Sequence, residues 1–167
     1  QKDPGGGLRL EIAKSTDRGL NWQVIARLKD PGRDLDNGQL IQLKNGHILL
    51  ACRSVRWHDS YRLPVYQSDD NGMNWKFLSS IDANEGTVGS LGNPDKGVYE
   101  PHFTLLEDGQ LAVFYANEKH VTDKHGYSQV ISERISSDNG KSWGPEIFVA
   151  WDPQNSGARP GMPVCAL

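Results

Sequence analysis

The chain has 167 residues, of which 37% are hydrophobic and 23% charged, a balance that suits a soluble globular protein and excludes a long disordered tail. A formal net charge of −3 with interspersed signs offers no electrostatic basis for nucleic acid or an anionic membrane surface as partner. No apolar run approaches the roughly 20 residues that cross a bilayer.

Read in order, the chain opens with one strand-like run at residues 8–14, which leads into Ser15-Thr-Asp17-Arg-Gly19-Leu-Asn-Trp22 and a return run, a half unit spanning 8–28. A second unit is expected at 39–81. Its first hairpin is an apolar run (40–43), a polar turn around Gly46 and a second apolar run (48–51) ending near Arg53. A loop at 54–60 carrying Trp57 and His58 then precedes Val65-Tyr66-Gln67, the segment Ser68-Asp-Asp70-Asn-Gly72-Met-Asn-Trp75, and Lys76-Phe77-Leu78. After a loop at 82–97, a third unit at 98–150 repeats the plan: runs at 103–106 and 111–114 around Gly109, a loop at 117–127, and Ser136-Ser-Asp138-Asn-Gly140-Lys-Ser-Trp143. A loop at 151–161 leads to residues 162–167, which read as the first strand of a further unit.

The pattern Ser-x-Asp-x-Gly-x-x-Trp thus occurs three times, and each position has a physical task. The carboxylate accepts backbone N–H groups across a tight turn, glycine supplies a positive φ, and the indole packs between neighbouring strands. Two successive hairpins make a four-stranded antiparallel blade, and radial repetition of blades is the β-propeller. The fold class expected is therefore all-β, a propeller of four-stranded blades with these boxes as turns. Two whole blades and two partial ones do not close a ring of about four to eight. The remaining blades are expected from a missing part of the chain or from another chain. Cys52 and Cys165 lie in apolar runs and are expected as buried free thiols, with a disulfide as the lesser alternative. A secreted protein is the expected localisation, though the sequence bears on it only indirectly.

The three boxes, Ser15 to Trp143, resemble the Asp-box repeats of sialidases and their six-bladed relatives. That resemblance implies that Asp17, Gly19, Trp22, Asp70, Gly72, Trp75, Asp138, Gly140 and Trp143 are scaffold residues on the face away from the active site. The order Tyr99-Glu100-Pro101, Asp108-Gly109, His125-Gly126-Tyr-Ser-Gln129, the third box and Arg159-Pro160-Gly161-Met162-Pro163-Val164 is similar to the exo-arabinanase branch of that superfamily. It implies that Glu100 is one of two catalytic carboxylates, the second lying beyond Leu167, so that this stretch alone is not expected to hydrolyse glycosides. Independently of resemblance, Glu100 heads a strand directly after a blade-linking loop, where functional groups concentrate, and glycosidases commonly flank the scissile bond with two carboxylates.

Arg159 closes a blade-linking loop and suits sugar hydroxyls or a carboxylate through its planar fork; pairing within the scaffold suits it equally. Arg53 and Trp57 are candidates at a pocket mouth, and His125 and Gln129 draw interest from the resemblance and from loop position. Tyr61-Arg62-Leu63-Pro64 looks like the sialidase arginine signature but stands within a blade, ahead of the second box, so it is read as coincidence. The five histidines show no zinc-site spacing, nucleotide loops are absent, and no metal or cofactor is expected. The functional expectation is a sialidase-like exo-glycoside hydrolase acting on an arabinan-type glycan or a sialoside, with a carbohydrate as partner and no nucleic acid or membrane. The alternatives are a lectin-like propeller without catalysis, for which Trp57 or Trp151 would serve, and a purely structural one.

Overall fold

A computed structural model describes residues 7–57, 59–86, 96–122 and 124–165. His58, most of the 82–97 loop (87–95), residue 123 and residues 166–167 lie outside the described residues. Strands β1 (Leu10–Lys14) and β2 (Gln23–Leu28) form a two-stranded antiparallel sheet. Strands β3 (Asp34–Gln42), β4 (Ile48–Arg56), β5 (Ser60–Ser68) and β6 (Lys76–Glu85) form a four-stranded one in chain order. A second four-stranded sheet holds β7 (Val98–Leu105), β8 (Leu111–Asn117), β9 (Val130–Ser136) and β10 (Ile147–Ala150) in the same order. A short 3-10 turn at Lys119–Thr122 interrupts the β8–β9 loop. No helix among the described residues is long and apolar enough to cross a membrane.

Period-2 alternation assigns each side chain of β4 to one of two cores. Leu49, Ala51 and Val55 join Tyr61, Leu63, Val65 and Ile81 against Val98, Phe103, Leu111, Val113 and Tyr115 of the following sheet. Leu50 and Cys52 face the other way and pack with Ile12, Leu28 and Leu35. A strand covered on both faces reads as a nearly continuous apolar run, which is why residues 48–52 stand out in the sequence.

The three boxes fold alike. In each, the serine hydroxyl donates to the aspartate (2.7–2.8 Å) and accepts the glycine N–H (2.8–2.9 Å), while the aspartate accepts the N–H of Asn21, Asn74 or Ser142 (2.8–2.9 Å). The side chains of Asn21, Asn74 and Ser142 also donate to the second carboxylate oxygen. The seventh position of the box thus has a task of its own, which the eight-residue pattern leaves unspecified. Arg18, Asn71 and Asn139 adopt positive φ just before the glycines.

The boxes also seat each sheet on the one before it. A Cβ on Gly140 would meet Leu49 Cδ1 at 3.0 Å and Leu111 at 3.5 Å. Ser79 of β6 donates to the Gly140 carbonyl at 2.5 Å and accepts the Trp143 indole N–H at 3.1 Å. Trp143 stacks on Phe103 at 6.1 Å. Gly72 and Trp75 pack in the same manner on the first sheet, Gly72 against Ile25 and Ile12. Trp22 has no preceding sheet among the described residues and is 66% exposed.

Several boundaries differ from those expected. β3 starts at Asp34 rather than 39, and β4 runs on to Arg56, so the expected 54–60 loop shrinks to residues 57–59. Polar residues mimic a loop here, but they pair: Asp34↔Val55, Leu35↔Ser54, Asp36↔Arg53. β6 likewise extends to Glu85. Met162–Cys165 carries no strand, because a strand needs a hydrogen-bonded neighbour and none of the described residues supplies one. Both cysteines are free; Cys52 is buried as expected, but Cys165 is only partly covered. Arg62 pairs with Glu85 on the neighbouring strand.

Replacing Gly46, which has φ +86 and open space around it, by alanine is expected to cost about 1 to 2 kcal/mol for the backbone alone. Gly140→Ala, with φ +82 and a close neighbouring sheet, should lose about 1 to 3 kcal/mol more through overpacking. Equal shifts of the two urea midpoints would refute the seating role of Gly140.

Hydrogen bonds hold the box carboxylates low, at about 2 against an ordinary 3.8: to Asp17 chiefly from the Asn21 backbone, to Asp70 from the Asn74 side chain, to Asp138 from the Ser142 hydroxyl. Because the folded values are depressed, their contribution is complete above about pH 4 and is lost as pH falls towards 2. The triple Asp→Asn variant is expected to melt lower at pH 7 and to show a shallower fall of Tm between pH 4 and 2.

Candidate functional site

Strand alternation puts the box turns (β1–β2, β5–β6, β9–β10) and the other hairpin turns (β3–β4, β7–β8) at one end of the sheets. The 57–59, 118–129 and 151–161 connections and the starts of β3 and β7 lie at the other end. Glu100 is at this second end, on the strand of its sheet that packs across the preceding one.

Glu100 does not sit in regular strand. The β7–β8 register runs Tyr99↔Ala116 and then His102↔Phe114, so Glu100 and Pro101 oppose a single residue, and Glu100 has φ +58. The same bulge recurs in β3. There the register passes from Asp36↔Arg53 to Gln39↔Ala51, and Asn37 has φ +48. Met162, followed by proline as Glu100 is, has φ +50. A bulge re-aims the side chain of its strand, and a glutamate held at positive φ is uncommon enough to need support from its surroundings.

That support comes from a strap. The backbone N–H of Met162 donates to Glu100 Oε2. Gly161 lies so close that a Cβ on it would stand 3.2 Å from Glu100 Oε2 and 3.0 Å from Gln129 Nε2. Gln129, buried at the entry to β9, donates to the Pro160 carbonyl and accepts from Arg159 at 3.1 Å. Arg159 also pairs with Glu118, whose side chain is only 3% exposed. Glu118 in turn accepts the Gly97 N–H at 3.0 Å, and its own N–H donates to the Gly97 carbonyl at 2.9 Å.

A second group borders this one. Arg53 forks onto Asp36 and lies 5.2 Å from the ring centres of both Trp57 and Tyr99. Trp57 is 46% exposed and donates its indole N–H to Asp34 at 2.7 Å. Arg53 is therefore not a strand end facing an open loop but an interior residue of β4, because Asp36 across the ladder supplies its countercharge. Ahead of β3, buried Arg33 donates to the Ser54 hydroxyl and to the Ser54 and Ser60 carbonyls.

His125 belongs to neither group. It stacks on Tyr127 at 5.8 Å and meets Phe148 and His120 edge-on, beside the half-exposed Trp151. His120 lies 3.1 Å from Glu146, which also accepts from Asn117 and Ser132. Burial works against ionisation of Glu146, and the bonds from Ser132 and His120 outweigh it, leaving the carboxyl below its ordinary range.

Of the residues singled out in the sequence, the structure joins Glu100, Gln129 and Arg159 in one cluster and Arg53 and Trp57 in another next to it. Sequence reading missed Glu118, Asp36, Arg33 and Glu146. Glu118 stands in Ala-Asn-Glu-Lys-His, which has the look of an ordinary polar loop; only its place directly after an apolar strand hints at burial. Among the described residues no group of three or more His, Cys, Asp or Glu side chains is placed to hold a metal ion.

Antiparallel four-stranded sheets turned by Asp boxes, with a carboxylate at positive φ at the opposite end of the first strand of a sheet, define a blade-built β-propeller of sialidase type. Residues 5–159 match the family model of the BNR repeat-like domain, and the chain belongs to that family. No curated protein matches. Among solved structures, the α-L-arabinofuranosidase of Fusarium graminearum in complex with arabinobiose is similar over 95% of this chain and 45% of its own (24% identity, TM-score 0.79). The α-L-arabinanase of Penicillium chrysogenum, also complexed with arabinobiose, is similar over 94% of this chain and 45% of its own (27% identity, TM-score 0.74). The sialidase of Streptococcus pneumoniae shares the fold over 82% of this chain and 18% of its own (22% identity, TM-score 0.55). The chain thus spans less than half the length of these structures.

Arg53→Lys keeps the charge but loses the fork onto Asp36 and the flat face over two rings. It is expected to lower stability by about 1 to 2 kcal/mol, read from chemical denaturation; an unchanged midpoint would show that the Arg53 group carries no structural weight.

Proposed function

We propose that the whole protein is a sialidase-like exo-glycoside hydrolase acting on an arabinan-type glycan, with Glu100 as one of its two catalytic carboxylates. The observation that carries this reading is Glu100 itself: a non-glycine residue at φ +58, turned out of its ladder by a bulge at the loop end of β7. Such strain persists only where the surroundings enforce it, and it clusters at functional sites. The arabinobiose complexes of the two fungal relatives favour an arabinan over a sialoside, which stays the alternative substrate.

On this reading Glu100 either protonates the leaving oxygen or attacks the anomeric carbon, with a partner carboxylate supplied by further blades. Arg53, Trp57 and Tyr99 form a wall with half-exposed aromatic surface, suited to a sugar face. Arg159 and Gln129 hold the strap and contribute to sugar binding through it, and His125 contributes from an aromatic group with Tyr127 and Phe148. The present stretch alone is not expected to turn over substrate.

In the full-length protein, Glu100→Gln should lower kcat on arabinan or arabino-oligosaccharides by at least about 100-fold, the usual scale for losing a positioned acid or base, with substrate binding retained. Near-wild-type hydrolysis would sink the assignment. Half-exposed Trp57 and Trp151 would equally serve a lectin-like propeller, so glycan-array binding by wild-type protein without any turnover would establish that alternative instead.

A further inference from the structure

We infer that Glu118 is a positioning residue for Glu100, acting through a closed circuit of bonds that latches the strap at residues 159–162 onto the Glu100 carboxylate. This rests on the reading of Glu100 as catalytic. One arm of the circuit runs from Glu118 Oε2 to the Gly97 N–H at 3.0 Å, with the Glu118 N–H returning to the Gly97 carbonyl at 2.9 Å. That pair of hydrogen bonds, one from the side chain and one from the backbone, ties the chain just beyond the Val98↔Asn117 pair and fixes the backbone three residues ahead of Glu100. The other arm runs from Glu118 Oε1 to Arg159, the residue that opens the strap. Along the strap, Pro160 is held by Gln129 and Met162 donates its N–H to Glu100. Glu118 therefore restrains Glu100 from both sides, by the backbone behind it and by the strap in front.

The chemistry suits positioning and not proton transfer. Both Glu118 oxygens are engaged, one by a guanidinium and one by a backbone amide, and the side chain is 3% exposed, so substrate does not reach it. A buried carboxylate held by an arginine and an amide is a fixed anchor. Its removal leaves Arg159, 48% exposed, with Gln129 alone to hold it, and takes away the described tie between that arginine and the start of β7.

The test uses the full-length protein and two readouts. Glu118→Gln should lower kcat by about 10- to 100-fold, the scale of a misplacement on the order of 1 Å at a reacting group, while KM changes less than about threefold, because the side chain does not touch substrate. Amide hydrogen exchange at Met162 should quicken at least about tenfold, since the latch no longer holds the local opening closed. Arg159→Lys, whose ammonium ends one bond short of the Nη2 that meets both Glu118 and Gln129, should reproduce the fall in kcat and the faster exchange, and the double variant should lose no more kcat than the larger single loss. If Glu118→Gln fails to fold, Arg159→Lys alone decides the matter by the same measures. Unchanged Met162 exchange in a folded variant overturns the latch, as do strictly additive losses in kcat. Faster exchange together with wild-type activity of Glu100→Gln would instead leave the latch standing and overturn the catalytic reading beneath it.

Discussion

A four-stranded blade has two apolar faces and can bury them only against other blades. In β4 this constraint is at its most demanding: Leu49, Ala51 and Val55 face one neighbour, Leu50 and Cys52 the other. The contact that meets it is the Asp box. Its glycine lets the chain turn at positive φ and, lacking a Cβ, lets the preceding sheet come within van der Waals range, as Leu49 does at Gly140. Its tryptophan closes the seam, with Ser79 joining both the Gly140 carbonyl and the Trp143 indole across it. The box is thus a turn for its own sheet and a socket for the neighbouring one, which explains why glycine and tryptophan recur together with the aspartate.

This double role decides how much was legible in the sequence. The boxes, the hairpins and the all-β propeller class could be read because the turn chemistry needs particular residues at fixed spacing, and because apolar runs such as 48–52 mark doubly buried strands. The start of β3 could not, since Asp34, Asp36 and Asn37 have turn-forming character and are held in strand only by partners distant in sequence, Arg53 among them. The left-handed positions were invisible for a related reason. Asp-Asn-Gly, Tyr-Glu-Pro and Gly-Met-Pro share no residue type at the left-handed position, although Asn37, Glu100 and Met162 share its conformation. What repeats there is backbone geometry, and geometry set by register leaves no fixed letter in the sequence.

The candidate site was legible in part for the same reason. Glu100 and Arg159 could be singled out from their positions at blade-linking loops, and Gln129 from the resemblance, but their assembly through Glu118 could not. An ion pair between residues 118 and 159 depends on how two loops of one blade approach each other, and neither loop announces its partner. Arg53 was expected at a strand end before a loop, whereas it is an interior residue of β4 paired across the ladder with Asp36. His125 illustrates the opposite limit: a residue in a suggestive motif whose ring contacts lie in an aromatic rim with Tyr127 and Phe148.

The two ends of the sheets therefore obey different rules. At the box end the same side chains recur, since each must make the same bonds and fill the same socket. At the loop end only a left-handed residue recurs, Asn37 and Glu100 in the bulges of β3 and β7 and Met162 in the strap. Asparagine tolerates that conformation readily, whereas glutamate and methionine do so at a cost of about 1 to 2 kcal/mol. A scaffold that fixes the backbone so firmly by its opposite end can carry that cost, and it can exchange the side chain presented at the loop end without disturbing the seams between blades. The strap explains where the cost is offset at Glu100: the Met162 amide bonds its carboxylate, and Glu118 holds both the strap and the strand from which Glu100 projects.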